Sequence, residues 1–325
     1  MTKDLVLEAL RRHPDRFVSG EELASGLSLS RTAVWKAVEQ LRGDGWRIES
    51  GPRRGYRLSC SNDVLSSEGI RQYLKSKDLD LRYLRSVGST NTVLKNLAAE
   101  GLPEGTALVA GEQTQGRGRM GRSFYSPGGS GLYMSLLLRP TLPASEATGI
   151  TACAAVAVAE TLEQLSGRPT QIKWVNDIWM EGKKVCGILT EASIDCESGR
   201  VHDAVVGIGI NVRAPEGGFP EDLEQIAGAV FPEQGIPDLR CQVAAGVLDR
   251  LWSRYRAMPE EDCFSAYRAR SLVLGKDVDL LTPGQAPIKA RVLDLARDYS
   301  LLVRLESGEQ RQIRSGEIRI RPRKE

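Results

Sequence analysis

The chain is poor in the side chains that build metal and redox centres. Among 325 residues there are only two histidines, His13 and His202, and six cysteines. The cysteines (60, 153, 186, 196, 241 and 263) stand far apart, and no CxxC pair occurs. A zinc site or a dithiol redox pair needs such clusters, so the thiols read as reduced and incidental. A membrane span is also missing. The most apolar stretch, Ile150 to Leu162, falls short of the roughly 20 residues a bilayer requires. The opening MTKDLVLEALRRH carries charge where a signal peptide would be apolar, so a cytoplasmic protein with no membrane partner is expected. No GxxxxGK[ST] phosphate loop is present, nor a Ser-His-Asp or Cys-His arrangement.

What is present suits a globular chain, with 41% hydrophobic and 26% charged residues. The length implies two or three domains. The net charge of +2 is unevenly spread. Residues 1–60 hold 11 Lys and Arg against 8 Asp and Glu, residues 271–325 hold the same numbers, and the middle holds 22 against 26. A mildly basic N-terminal segment is compatible with nucleic acid.

The first 60 or so residues read as three short helices and a hairpin. Leu5, Val6, Ala9 and Leu10 form one apolar face. Ser19-Gly20-Glu21-Glu22 fits a capping box, and Ser30 caps a third helix with an apolar stripe of Val34, Ala37, Val38 and Leu41. Trp46–Ile48 and Tyr56–Leu58 alternate about a tip of Gly51 to Gly55. This order predicts a winged helix-turn-helix. Its third helix then shows Arg31, Thr32, Trp35, Lys36, Glu39 and Arg42 outward, and Arg and Lys there reach base edges and phosphates. Ser30, Arg31, Thr32, Trp35 and Lys36, with Arg53 and Arg54 at the wing tip, are the candidate DNA contacts. The competing readings are a Trp35 covered by the wing or a neighbouring domain, and a merely solvated wing turn.

Residues 59–65 read as a linker. Beyond it, helix patterns (67–76, 91–100, 144–166, 239–257) mix with strand patterns (81–87, 106–112, 131–138, 170–175, 184–193, 202–212), which predicts a sheet covered by helices. Residues 213–237 read as an irregular loop. Short alternating runs after residue 271 (278–281, 290–295, 301–305, 312–320) predict a small β domain.

The densest chemistry is Gly116-Arg117-Gly118-Arg119-Met120-Gly121-Arg122. Its glycines allow close approach and its arginines bring positive charge. Such a loop is expected to be mobile alone and to close over an anionic ligand; the plainer reading is a basic surface loop. Gly88-Ser89-Thr90-Asn91 offers hydroxyl and amide groups at a helix start, either as caps or to a polar ligand head. Lys173-Trp174-Val175-Asn176-Asp177 pairs a lysine for phosphate with a carboxylate for magnesium, or is an ordinary Asn-Asp turn. Lys183 to Glu191 is a strand that starts basic. Val206 to Val212 is a strand whose glycines admit close backbone approach.

GSTN, EQTQGRGRMGRSFYSP, KWVNDI, KKVCGILTE and GIGINV, in this order, resemble the biotin–protein ligases. With SRTAVWKAVEQLRGDGWRIES and GPRRGYRL before them, the chain resembles the bifunctional ligase/biotin-operon repressors over essentially its whole length. The resemblance implies an α+β multidomain chain: a winged helix-turn-helix DNA-binding domain (1–62), a central mixed α/β catalytic domain whose sheet is covered by helices (63–270), and a small SH3-like β-barrel (271–325). Three departures stand out: Val175 for the usual proline, which frees a backbone N–H and could loosen the turn; Met120 where some members carry another basic residue; and Phe124 where tryptophan can occur.

The implied activity is ATP-dependent formation of biotinyl-5′-AMP with Mg2+, followed by transfer to a lysine of biotin carboxyl carrier protein. Repression of biotin synthesis genes at operator DNA, as a homodimer formed on adenylate binding, accompanies it. Carried over by motif, Ser89, Thr90, Asn91, Gln113, Arg117, Gly118, Arg119 and Lys184 bind biotin. Lys184 and Arg119 are the catalytic candidates. Arg119, Arg122, Phe124, Lys173, Asn176 and Asn211 serve ATP and the adenylate, and Asp177 the magnesium. The alternatives are a ligase with a non-regulatory DNA module, a ligand-sensing transcription factor without catalysis, and a lipoate-attaching relative.

Overall fold

The computed structural model describes residues 2–13, 16–51, 54–59, 62–231, 236–258, 263–281 and 286–321. By packing, the chain divides into two compact units, residues 1–73 with 233–242 and residues 74–232 with 243–325.

In the first unit, α1 (Thr2–Arg11), α2 (Gly20–Gly26) and α3 (Arg31–Gly43) precede a hairpin of β1 (Ile48–Gly51) and β2 (Gly55–Leu58), then α4 (Ser67–Tyr73). The caps are those the sequence predicts. Ser19 Oγ accepts from the Glu22 N–H at 3.0 Å, and Ser30 Oγ from the Ala33 N–H at 3.1 Å. The Glu22 carboxylate is paired with Arg16 at 2.6 Å. Val34, Ala37, Val38 and Leu41 all turn inward onto Val6, Leu10, Leu23, Trp46, Ile48 and Leu58. Leu5 does not join them and is 47% exposed. Val18 adds a third rung to the wing by exchanging two 2.8 Å backbone hydrogen bonds with Tyr56. Gly55 makes that approach possible: its φ is +94°, and a Cβ there would collide with the Val18 carbonyl.

The second unit is built on a seven-stranded mixed sheet. Its strands are β3 (Asp80–Leu84), β4 (Thr106–Ala110), β5 (Leu132–Leu138), β6 (Gln171–Lys173), β7 (Asp177–Met180), β8 (Lys183–Ile194) and β9 (Val201–Ile210), in the order β3-β4-β5-β9-β8-β7-β6. Only β3 and β4 pair in parallel. A parallel pair requires a crossover, and α5 (Thr90–Ala99) supplies it. Leu94 and Ala98 of α5 pack on Leu108, Leu137 and Val205 of the sheet. The Ala- and Val-rich α6 (Ala147–Ser166) is buried along most of its length, because its small side chains let it lie close to neighbours. The unit also holds α7 (Glu221–Glu224), all but the start of α8 (Leu239–Arg256), and α9 (Phe264–Ala269).

A second, five-stranded antiparallel sheet follows: β10 (Asp277–Leu281), β11 (Ile288–Leu295), β12 (Leu301–Leu305), β13 (Gln310–Ile313) and β14 (Glu317–Ile320), in the order β13-β12-β11-β10-β14. The single run expected over 312–320 is two strands. A turn at Gly316, φ +122°, sends β14 across to β10. The strand expected over 170–175 stops at Lys173, and β7 and α9 were not expected at all. Among the described residues no helix is long and apolar enough to cross a membrane.

Candidate functional site

Three consequences of the larger sheet meet at one cavity, of about 130 Å3. The turn after β3 delivers Ser89, Thr90 and Asn91 at the head of α5. The segment after β4 delivers Gln113 and the Gly/Arg loop. The middle of β8 and the end of β9, Gly207 to Gly209, form the floor. Ligand sites at the carboxyl ends of parallel strands are a general outcome of such sheets.

At one end lies a chain of buried hydrogen-bonding groups. Thr90 donates from its N–H (2.9 Å) and its hydroxyl (3.1 Å) to Gln113 Oε1. Gln113 Nε2 donates to Ser126 Oγ at 3.1 Å. Ser135, fully buried in β5, lies 2.7 Å from the Thr90 hydroxyl and 2.6 Å from Asn91 Oδ1. Ser89 at the head of α5 makes no cap bond, so its hydroxyl is not spent on the helix.

Over this lies residues 116–124, folded as a small hairpin. The Phe124 N–H donates to the Gly116 carbonyl (2.9 Å), and the Gly118 N–H to the Arg122 carbonyl (2.7 Å). At its tip Met120 has φ +56° and is 53% exposed. The Phe124 ring drops onto the sheet between two glycines that face each other in register, Gly187 of β8 and Gly209 of β9. A Cβ would lie 3.1 Å from the ring at Gly187 and 2.5 Å at Gly209. At Gly207 a Cβ would collide with the Asn91 amide. What approaches the β9 glycines is therefore side chains of the protein itself, not a ligand meeting bare backbone.

The other end is ionic. Lys184 Nζ stands 2.8 Å from Asp177 Oδ1. A bulge opposite Ile178 and Trp179 shifts the β7–β8 register just there, which re-aims side chains along the strand. Arg119 donates to Asn176 Oδ1 at 3.1 Å and to the Gly316 carbonyl at 3.3 Å. Arg122 forms a two-pronged pair with Glu317, one prong at 2.7 Å. The hydrogen bond from Arg122 holds the Glu317 carboxyl below its ordinary range. Burial pulls the Lys173 ammonium down, and its Nζ lies 5.3 Å from the Trp179 ring centre. Arg119, Arg122, Lys173 and Lys184 outnumber Asp177 and Glu317, so this end is set for an anion. The Trp174–Asn176 turn is fixed by the Trp174 indole N–H on the Tyr299 carbonyl (2.7 Å) and the Tyr267 hydroxyl on the Val175 carbonyl (3.0 Å). The Trp174–Val175 peptide is cis.

Among the described residues no three His, Cys, Asp or Glu converge on a metal position. One Asp177 oxygen already faces Lys184. The residues present therefore fit magnesium as a single carboxylate contact for an ion carried mainly by phosphate oxygens and water.

Ser89, Thr90, Asn91, Gln113, Arg117, Gly118, Arg119, Arg122, Phe124, Lys173, Asn176, Asp177 and Lys184 all line the cavity. Asn211 does not. Its amide donates to the Gly228 carbonyl at 3.1 Å and its backbone ties Val185 to Val230, so it braces a loop outside the cavity. Sequence reasoning missed Ser135 and Glu317. The first left a signal, a lone hydroxyl in the apolar run LYMSLLL; the second left none.

In the first unit, Arg31, Thr32 and Trp35 of α3 line a groove together with Ser50, Gly51, Gly55 and Tyr56 of the wing. Trp35 is 53% exposed, so the wing does not cover it. Lys36 is also exposed. Ser30 serves as the helix cap. Arg42, expected on the outer face, instead donates twice to the Ile48 carbonyl and fastens α3 to the wing. The Arg54 and Arg57 guanidinium groups lie 5.5 and 4.7 Å from the Phe17 ring centre. Arg53 lies outside the described residues.

Residues 83–211 match the model of the biotin/lipoate A/B protein ligase family, and residues 2–57 match an HTH domain. The bifunctional ligase/repressor BirA of Bacillus spizizenii and that of Bacillus subtilis are each 41% identical over 258 residues, covering 79% of this chain and 78% of theirs. The solved biotin protein ligase from Aquifex aeolicus in complex with biotin and ATP superposes with a TM-score of 0.62 at 32% identity, covering 74% of this chain and 98% of that one.

Proposed function

This chain belongs to the biotin/lipoate A/B protein ligase family, and from that premise we propose how its two units divide a ligase and a repressor activity between them. The chain is an ATP-dependent biotin–protein ligase and a DNA-binding repressor. One observation carries the assignment of the cavity: a string of buried hydroxyl and amide groups at one end and four cations at the other. That pattern suits a molecule with a neutral polar head and a carboxylate, met by a polyphosphate.

In this reading the Ser89, Thr90, Asn91 and Gln113 groups hold the ureido end of biotin, while Arg117 and Gly118 cover it. The biotin carboxylate oxygen attacks the α-phosphorus of ATP, the bond to the β-phosphate breaks, and pyrophosphate leaves. Lys184 and Arg119 neutralise the charge that gathers between carboxylate and phosphate, and do so from fixed positions. Lys173, Arg122 and Asn176 hold the nucleotide phosphates, and Phe124 gives the adenine an aromatic face. Asp177 would hold magnesium on the protein side, and the bound ion would supply charge screening of the phosphate oxygens. An amine from a lysine of biotin carboxyl carrier protein then attacks the acyl carbon, and AMP leaves. Positioning supplies most of the rate.

The domains in this reading are 1–62, 63–270 and 271–325, with the C-terminal antiparallel sheet as an SH3-like barrel. Arg31, Thr32, Trp35 and Lys36 read operator DNA, with Arg53 and Arg54 of the wing on the phosphates. Adenylate binding favours a homodimer that spans two half-sites. The test is exchange of labelled pyrophosphate into ATP, dependent on added acid. Exchange with biotin and none with lipoate is expected; exchange with neither, in folded protein with magnesium, overturns the reading.

A further inference from the structure

Glu191, near the far end of β8, has no part in the roles above, yet it touches both the floor and the loop of the cavity. Its side chain is only 16% exposed. Oε2 accepts from Asn91 Nδ2 at 3.0 Å. Oε1 accepts from Lys95 Nζ at 2.9 Å and faces Arg117 Nη1 at 3.3 Å.

We infer that Glu191 is the positioning residue of the biotin end, holding the Asn91 amide and the Arg117 guanidinium in one frame. This rests on the ligase reading of the cavity. The argument is one of hydrogen-bond direction. A carboxylate only accepts, so the Asn91 NH2 must face Glu191. Its second hydrogen goes to the Leu189 carbonyl at 3.1 Å. The Asn91 Oδ1 is thereby turned to Ser135 and takes that hydroxyl's only proton. The Thr90 hydroxyl must then donate, to Gln113 Oε1 or to the Ser135 oxygen. The carboxylate and the Leu189 carbonyl together thus fix the donor sense of three linked groups, Asn91, Ser135 and Thr90, that line or back the cavity, and buried networks gain from such ordering. The same carboxylate ties Arg117, otherwise 48% exposed, to the sheet. Burial pushes the Glu191 carboxyl up, but the hydrogen bonds from Lys95 and Asn91 outweigh it and keep the group below its ordinary range. It is charged at neutral pH.

Glu191→Gln puts a donor where only an acceptor stood. Asn91 then keeps only the Leu189 carbonyl to hold its orientation, and the tie to Arg117 loses its charge. The expected result in pyrophosphate exchange is a KM for biotin raised roughly tenfold, a KM for ATP within twofold of wild type, and an unchanged melting temperature. Arg117→Met should raise the biotin KM too, and the double variant should lose less than the product of the two singles, as coupled residues do. Glu191→Asp keeps the charge but is one methylene short, and should shift the biotin KM in the same direction if the glutamine variant does not fold. An unchanged biotin KM in both Glu191 variants overturns the proposal. So does an equal rise in both KM values with a lowered melting temperature, which marks a merely structural residue. Loss of biotin-dependent exchange in the wild-type protein would instead count against the ligase reading.

Discussion

Two ion pairs show how much the cavity asks of single residues. Lys184 faces Asp177 at 2.8 Å, and replacing it with alanine removes one cation from the reacting centre and strands the carboxylate. Lys184→Ala should lower biotin-dependent exchange by about 10²–10³-fold, the usual cost of one preorganised charge partner. A normal rate in a variant with a wild-type melting curve would refute the role. Glu317 is the second case. Its folded carboxyl lies below the ordinary value because Arg122 donates to it. The stability it adds is present above the ordinary glutamate pKa and is lost as pH falls through the lowered one. Glu317→Gln should therefore melt lower than wild type at pH 7, by no more than about 1 kcal/mol for so exposed a pair. The difference should shrink as pH falls below the ordinary glutamate value and through the lowered one; melting curves across pH check this. Lys184 was legible through the KKVCGILTE motif, which resembles that of the biotin–protein ligases. Glu317 was not, since an acid between glycine and isoleucine in a polar stretch looks like any solvated position.

Elements were legible where periodicity and caps agreed. The α3 stripe of Val34, Ala37, Val38 and Leu41 is buried as expected, and Ser19 and Ser30 cap where the sequence places them. Misreadings came where one residue changes direction. Gly316 divides a single alternating run into two strands with different partners. The turn over Trp174–Asn176 ends β6 at Lys173, and Asp177 begins a strand of its own. Asn211 sits at the end of the GIGIN run, one step beyond β9, where the chain has already left the cavity. The glycines of β9 read as open to close backbone approach, because a sequence does not say which side chain fills a gap. Gly209→Ala places a methyl 2.5 Å from the Phe124 ring. Overpacking of that kind costs about 1–3 kcal/mol. The variant should melt lower, and its KM for ATP should rise more than its KM for biotin.

Across the whole molecule, the side chains proposed to meet DNA and the cavity belong to different sets of residues, 1–73 with 233–242 and the remainder. Changes on α3 should leave the chemistry alone. Arg31→Ala with Lys36→Ala should weaken operator binding and reduce the slope of log affinity against log salt by about 2, one unit per lost phosphate contact. Pyrophosphate exchange should be unaltered. Fluorescence anisotropy over a salt series tests the first statement, and an unchanged slope would show that α3 does not meet phosphates. Sedimentation velocity with and without biotin and ATP tests the dimer; a boundary that does not move with ligand counts against it.

The seat of Phe124 between Gly187 and Gly209 is made by leaving side chains out, and the ring is held there by contact rather than by charge, with the Lys184 ammonium at the rim of the seat. The ionic end of the cavity that begins there is dominated by cations. Added sodium chloride screens the second and leaves the first untouched. Under the proposed assignment, ionic strength separates the two grips on one nucleotide: its phosphates loosen while the ring keeps its place.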